Sequence, residues 1–387
     1  MAVSSAFLVS SLYFPVSSIS EVFHLSSYFI AMYGQDLFFF YPSDNMSNLM
    51  CRIWRNGRYL PEFTLHEGIR PSFSVFRQKE RLNVFCQDIK GHILLHSYKN
   101  DKWNSRRIMH NSGNILLTPI ESEDTLCVIY NGISDTECLF KRTTTPSGEW
   151  QQAETIDHFK PLPFAPYEAQ KTVPGHLLLF YQTQTEECQV GYREVTPKRT
   201  GAFHRFLNTQ GSLADASCLT TYDKLHVLMI VKTALSCQML YRKKTDDVFT
   251  PPILLWEAPK IEQCLLTIIE DEQGSELHAT CMIGGKLHKA VSADEGDSFG
   301  PMSMYKRKFC TEPVKANFLT EKMPVGYFAR QVYVDKAAPW DVQMLPDLCQ
   351  NFYPQGDIQD RLAAAERLIE ERDLQIMELL SAGSIAK

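Results

Sequence analysis

Two histidines, His92 and His96, are four residues apart, a separation at which a helix can place two imidazoles on one metal ion. They stand in the short apolar run HILLH, which is typical of a strand. In a strand the two side chains lie about 13 Å apart, at roughly 3.3 Å per residue, which is too far to share a metal. The acidic run 270–272 precedes Gly274 and lacks the alternating ligands of a calcium loop. The sequence therefore predicts no metal site.

The cysteines and the common catalytic motifs also predict no reactive centre. No two of the eleven cysteines are separated by only two residues, which excludes zinc-ribbon and thioredoxin-type pairs. Cys86, Cys127, Cys237 and Cys281 lie inside apolar runs, where a reduced cysteine acts as a small buried hydrophobe. The chain contains no G-x-S-x-G elbow, phosphate-binding loop, dinucleotide fingerprint or H-E-x-x-H. We predict free thiols, no catalytic residue, no cofactor and a reducing, cytoplasmic location.

An internal repeat organises most of the chain. The copies share three apolar runs separated by polar turns, then an aromatic-basic pair and a closing aromatic. The pair is weaker in the sixth copy, as His288-Lys289, and degenerates to Phe328-Ala329-Arg330 in the seventh. The basic members are Arg55, Lys99, Lys141, Arg193, Arg242, Lys289 and Arg330. The closing aromatics are Tyr59, Trp103, Trp150, Phe203, Phe249, Phe299 and Trp340. The basic members are 41 to 52 residues apart, which is the length of one four-stranded blade of a β-propeller.

The composition of the runs predicts an all-β fold. The runs are short and rich in Val, Ile, Leu, Phe and Tyr, and the second run of each copy is apolar on both faces, as in a strand between neighbouring blades. Counting copies predicts a seven-bladed propeller over residues 24–350, with six blades as the alternative if a terminal copy is not a true blade. We expect the closing aromatics to pack between blades and the basic residues to face solvent.

The sixth copy contains the turn SADEGDSF at residues 292–299. This turn resembles the Asp-box, or BNR repeat, of sialidase-like β-propellers. The Asp carboxylate can accept backbone N–H groups, Gly can adopt a positive φ, and the aromatic can pack beneath the blade. The resemblance implies structural roles for Ser292, Asp294, Gly296, Ser298 and Phe299, so that Asp294 is a turn residue and not a catalytic acid.

The same resemblance raises the question of sialidase chemistry. Those enzymes bind the substrate carboxylate with three arginines and use a Tyr activated by a Glu, with an Asp acid near the start of the ring. The first 50 residues of this chain contain no arginine, so the N-terminal arginine motif of that family is missing. Arg193, Arg242 and Arg330 are the candidate ligand-contacting residues, although their recurrence at equivalent turn-flanking positions is explained by the fold. The resemblance therefore implies a non-catalytic propeller, with a divergent sialidase-like glycoside hydrolase as the alternative.

The two ends of the chain differ from the repeat. Residues 1–23 are predicted to be an N-terminal extension. The first 20 carry no charge, but seven serines and Pro15 interrupt the apolar residues that a membrane span would need. A signal or anchor at residues 1–20 stays open as an alternative. Residues 357–381 are rich in Ala, Leu, Glu and Arg and predict an amphipathic helix with apolar residues at 4-3 spacing. Its apolar stripe either packs on the propeller or forms a short coiled coil that joins protomers.

Composition and charge exclude several classes of protein and of ligand. A chain that is 44% hydrophobic and 22% charged is neither a disordered nor a multi-span membrane protein, and we expect no firm membrane association. Its net charge of -6 gives no electrostatic basis for binding nucleic acid. The sequence therefore predicts a non-enzymatic binding or scaffold propeller whose loop face meets a protein or glycan, with the C-terminal helix used for oligomerisation or docking.

Overall fold

The computed structural model describes residues 28–343, apart from short gaps. The gaps are 57, 79, 112, 122–124, 134–135, 146–147, 162–166, 172–174, 185–188, 208–210, 222–223, 246–247, 272–273, 306–312, 320–326 and 335–341. The predicted extension 1–23, the predicted helix 357–381 and the closing aromatic Trp340 therefore lie outside the described residues. Within the described ranges every regular element is a strand, and no helix is long and apolar enough to cross a membrane.

The first three blades are antiparallel sheets of strands that follow one another in the chain. Blade 1 contains β1 Phe29–Tyr33, β2 Asp36–Pro42, β3 Asn48–Arg55, β4 Arg58–Tyr59 and β5 Phe63–Glu67. Blade 2 contains β6 Ile69–Gln78, β7 Arg81–Asp88, β8 His92–Lys99 and β9 Lys102–His110. Blade 3 contains β10 Leu117–Glu121, β11 Leu126–Ile133, β12 Glu137–Thr143 and β13 Glu154–Lys160.

The next three blades repeat this arrangement, and a shorter group of strands follows them. Blade 4 contains β14 Glu168–Lys171, β15 Leu177–Thr183, β16 Val190–Val195 and β17 Thr200–Leu207. Blade 5 contains β18 Ser212–Thr221, β19 Lys224–Lys232, β20 Cys237–Thr245, β21 Val248–Phe249 and β22 Ile253–Ala258. Blade 6 contains β23 Cys264–Asp271, β24 Gly274–Ile283, β25 Lys286–Ser292 and β26 Ser303–Met304. The last group contains β27 Val314–Leu319, β28 Tyr327–Ala329, β29 Gln331–Val334 and β30 Val342–Gln343.

The first strands of successive blades form a closed ring. β1 contacts β6, β6 contacts β10, β14 contacts β18, and β18 contacts β23. Tyr167, immediately before β14, places its hydroxyl 3.0 Å from Thr118 Oγ1 of β10. The last group closes the circle, because β28 pairs with β23 and β27 pairs in parallel with β1, with Asn317 opposite Phe29. The chain folds as a β-propeller. Blade 1 has its own first strand, β1, which pairs with β2.

The hydrophobic core is divided among the interfaces between neighbouring blades. Each of seven buried clusters joins two adjacent units, from the pair of blades 1 and 2 round to the last group and blade 1. Second strands contribute to the clusters on both sides, and every residue of β15 is buried. Two-sided burial explains why these strands are apolar at consecutive positions and do not alternate.

The closing aromatics pack between blades, as expected. The ring of Trp103 in blade 2 lies 6.1 Å from that of Phe40 in blade 1, and Phe299 in blade 6 lies 4.8 Å from Tyr241 in blade 5. The expectation that the basic residues face solvent is wrong for Lys141, which is only 5% exposed. Its ammonium group is 2.9 Å from Glu154 and 3.0 Å from Thr200 Oγ1 of the next blade, so the neighbouring blade covers it.

Candidate functional site

A cavity lies on the axis of the ring, where the first strands converge. Its volume is about 150 Å³, and it is lined by residues of β1, β6, β10, β14, β18, β27 and β29. A cavity of this order admits a ligand about the size of a six-membered ring. Its lining is mainly apolar, and the polar side chains of Ser74, Glu168, Gln170, Arg330 and Gln331 stand among the apolar ones.

Three charged residues from three different units meet beside the cavity. Lys315 of β27 places its Nζ 3.0 and 3.1 Å from the two carboxylate oxygens of Asp215 in β18, and 3.9 Å from Glu168 in β14. The side chains of Lys315 and Asp215 are each only 4% exposed, and that of Glu168 is 16% exposed. Asp215 also accepts a hydrogen bond of 2.8 Å from the backbone N–H of Cys264. The group thus joins blades 4, 5 and 6 to the last group.

Burial and neighbouring charges shift the pKa values of Lys315 and Glu168. Burial alone would lower the pKa of Lys315, but Asp215 and Glu168 outweigh it and raise the pKa well above its usual value. Burial raises the pKa of Glu168 to about 7, against the opposing effect of Lys315. Asp215 is not among the residues that line the cavity, whereas Glu168 is. A charged Lys315–Asp215 pair therefore lies behind a single titratable acid that reaches the cavity.

We expect stability to depend on pH through Glu168. The folded state binds this proton more tightly than the unfolded chain, so the stabilisation is complete below pH 4.5 and is lost as pH rises towards 7. Glu168→Gln removes this titrating group. Each unit of its pKa shift corresponds to about 1.4 kcal/mol in the free energy of unfolding. Urea unfolding of both proteins across this range measures the difference. A difference in the free energy of unfolding between parent and variant that stays constant with pH would contradict the prediction. The other titrating groups are present in both proteins, so their effects cancel.

Two polar side chains of the cavity have no partner among the described residues. Ser74 Oγ on β6 and Gln170 Nε2 on β14 are buried atoms without a hydrogen bond, and the two residues are 5% and 7% exposed. Burying an unpaired polar group costs free energy. Ser72 has an equally buried and unpaired hydroxyl on the same strand but does not line the cavity.

The three arginines predicted to contact a ligand do not come together. Arg193 lies on β16, where Asp157 is 2.8 Å and Tyr181 OH 2.7 Å from its guanidinium. Arg242 lies on β20, donates to Thr250 O at 2.7 Å and packs over the ring of Phe249. Both lie on third strands away from the axis, where Arg242 binds its own blade and Arg193 binds Tyr181 of its own blade and Asp157 of blade 3. Arg330 alone lines the axial cavity.

The turn at 292–299 is organised by the carboxylate of Asp294. The Asp294 oxygens accept hydrogen bonds from Ser298 N at 2.9 Å, Ser298 Oγ at 2.6 Å and Ser292 Oγ at 2.7 Å. The bonds from Ser298, with the one from Ser292, hold the pKa of Asp294 well below its usual range. Gly296 has a φ of +87° and donates its N–H to Ser292 Oγ at 2.7 Å. The turn lies at the junction with blade 5, where Phe299 packs on Tyr241.

A cysteine-histidine contact in blade 2 lacks the ionisation that a nucleophile requires. Cys86 Sγ is 3.4 Å from His96 Nε2, and His96 Nδ1 is 2.6 Å from Ser105 Oγ. Burial raises the pKa of Cys86 to about 12 and lowers that of His96 to about 4. A thiolate-imidazolium pair is therefore disfavoured. His92 pairs separately with Asp88, and no cluster of metal ligands occurs within the described ranges.

Apart from Arg330, the sequence did not predict the axial residues, because they lie in strands whose place in the repeat is set by their apolar positions. The available signal was a charge inside an otherwise apolar run, as at Asp215 in SLADASCL and Lys315 in VKANFL. Such a charge, when buried, needs a partner. The identity of that partner depends on which first strands become neighbours.

Comparison with known proteins supports the fold alone. No protein-family model matches the chain, and no curated protein matches it by sequence. Among solved structures it is similar to an ulvan lyase of polysaccharide lyase family PL25 bound to -[GlcA(1-4)Rha3S]-. The TM-score is 0.57 and the identity 10%, over 80% of this chain and 89% of the lyase. At this identity the similarity is one of fold alone.

Two further similarities have lower scores. The fucose-binding lectin of Aleuria aurantia, a six-bladed β-propeller, gives a TM-score of 0.41 at 11% identity, over 73% of this chain and 96% of the lectin. The N11 neuraminidase-like protein of A/flat-faced bat/Peru/033/2010 gives 0.42 at 11% identity, over 73% of this chain and 88% of that protein.

Proposed function

We propose that this chain is a non-enzymatic binding propeller that takes one sugar residue of a glycan in its axial cavity. The observation that carries the proposal is the pair of unpaired, nine-tenths buried groups, Ser74 Oγ and Gln170 Nε2, on two strands that line the same cavity. A ligand with several hydroxyl groups supplies partners for both. Arg330 and Gln331 add further donors at the same cavity.

The proposal includes the finer architecture. The last group of strands, β27 to β30, belongs to a seventh blade. The Asp294 turn is an Asp-box, so the chain is a divergent relative of sialidase-like propellers. Residues 357–381 form an amphipathic helix that joins protomers or docks on the propeller, in a cytoplasmic protein. Light scattering of the full chain and of a chain ending at 356 tests the helix, because only an assembly role changes the mass beyond the deleted residues.

Ser74→Ala is expected to weaken binding of the preferred sugar about fivefold, the usual effect of losing one neutral hydrogen bond. Ser72→Ala is the matched control, since its hydroxyl is equally buried and unpaired on the same strand but lies outside the cavity. Calorimetric titration of the full-length protein with a panel of methyl glycosides measures both variants. Equal affinities for the two variants, or no binding by the parent protein, would contradict the axial site.

A divergent glycoside hydrolase is the second candidate, and the raised pKa of Glu168 favours it, because a general acid must hold its proton near neutral pH. Glycoside chemistry usually needs a second carboxylate facing the substrate. Asp215 is bound by Lys315 and does not line the cavity, and Glu168 is the one carboxylate among the described residues that do. Release of fluorophore from aryl glycosides by the parent protein but not by Glu168→Gln would favour the hydrolase over the binding protein.

A further inference from the structure

Blade 2 carries a row of cations across one face of its sheet. The strand register places Arg81 of β7 beside Lys99 of β8, and Lys99 opposite Lys102 of β9. Arg106 is four residues beyond Lys102 on the same face, since side chains alternate along a strand. These residues line a cleft of about 720 Å³ and an adjoining one of about 360 Å³.

Among these cations, only Lys99 has an ion pair with a described carboxylate, that of Glu80, which also lines the cleft. Like charges on directly opposite strand positions destabilise a sheet. Lys99 is 3.2 Å from Glu80, an acid that is 85% exposed. Asp101, in the turn between β8 and β9, is bound by Arg55 at 2.8 Å and Tyr98 at 2.7 Å. No described carboxylate lies within ion-pair distance of Arg81, Lys102 or Arg106.

The next row of the same face is uncharged and polar. It contains Asn83, Ser97 and Asn104, which are paired across β7, β8 and β9. Ser97 Oγ donates to Asn83 Oδ1 at 2.7 Å, while Asn104 is exposed. Leu95 is the apolar residue of the lining, and no aromatic ring is among the described residues that form it.

We infer that this cleft is a second binding site, for a short acidic oligosaccharide that carries sulfate or carboxylate groups. The cationic row spans about 10 Å across three strands, the length of a disaccharide. Arginine and lysine bind sulfate and carboxylate groups, and the amide-hydroxyl row next to them matches sugar hydroxyls. Single-stranded nucleic acid is the less suitable polyanion, because its bases bind to aromatic platforms that the lining lacks.

This site is separate from the axial cavity and goes beyond the function proposed for it. A negative result for this cleft does not bear on the axial site, because Ser74→Ala and the substitutions below lie in different pockets. Loss of both kinds of binding in one variant would indicate misfolding, which the melting temperature detects independently.

The test is titration of the full-length protein with a size-defined heparin tetrasaccharide. We expect binding that weakens as salt is raised, and a loss of at least tenfold in Lys102→Glu and in Arg106→Glu. Lys286→Glu is the control, because it makes the same charge change at an exposed lysine of blade 6, away from the cleft.

Three outcomes would overturn the inference. The first is no binding of the tetrasaccharide at low salt. The second is an equal loss in Lys286→Glu, which would show that net charge and not the cleft governs binding. The third is equal or tighter binding of a single-stranded oligonucleotide of matched charge, which would assign the cleft to a different class of polyanion.

Discussion

Lys315→Met is expected to lower the free energy of unfolding by about 3–5 kcal/mol at pH 8, the cost of leaving a buried charge without its partner. Lys315 binds both carboxylate oxygens of Asp215 and a backbone carbonyl, that of Ala216, at 3.1 Å. Methionine fits a similar volume but cannot replace these bonds. The loss should be cooperative, because Lys315 joins the last group to blades 4 and 5, where the ring closes.

Urea unfolding of the parent and the variant measures this loss, and two further variants make the result specific. Lys286→Met removes an exposed lysine and should change stability by less than about 0.5 kcal/mol. Adding Asp215→Asn to Lys315→Met removes the stranded charge while keeping an acceptor for Cys264 N, so the double variant should be more stable than Lys315→Met alone. A loss below about 1 kcal/mol in Lys315→Met would show that the pair contributes little.

Gly296→Ala is expected to destabilise the protein by about 3 kcal/mol, through backbone strain together with a steric clash. The residue has a φ of +87°, which a side chain disfavours. A Cβ atom there would also lie 1.9 Å from Tyr241 OH. That hydroxyl is 2.7 Å from His226 Nδ1 in a buried contact, so it cannot move without disturbing blade 5.

Gly148→Ala separates the strain from the clash. Gly148 has nearly the same φ, +89°, but a Cβ atom there would have no neighbour within 4 Å. Its substitution should cost only about 1 kcal/mol, from the backbone conformation alone. Thermal unfolding of the two variants compares them directly. Equal losses would mean that the turn is not packed against Tyr241 as described.

The blade repeat was predictable because it depends on local physics. Strands such as β15 and β19 each contain five consecutive apolar residues, LLLFY and VLMIV, and these must be covered on both faces. The hydrogen bonds of the Asp294 turn also depend on local sequence, because all of them join residues within a stretch of seven. The burial of Lys141 was not predictable, since the residues that cover it include Thr200 of the next blade.

By itself, then, the sequence determined the strand pattern, the length of the blade and the turn residues, because each follows from the period and chemistry of adjacent positions. Only the tertiary structure decided the axial site. Asp215 and Lys315 are 100 residues apart, and each is one charge in an apolar strand until ring closure brings β18 and β27 together with β14. Burial and Coulomb energy depend on distance in space, which a local pattern does not contain. The same reason explains why Arg330 lines the axial cavity, whereas Arg193 and Arg242, at similar positions in the repeat, bind Asp157 and Thr250 away from the axis.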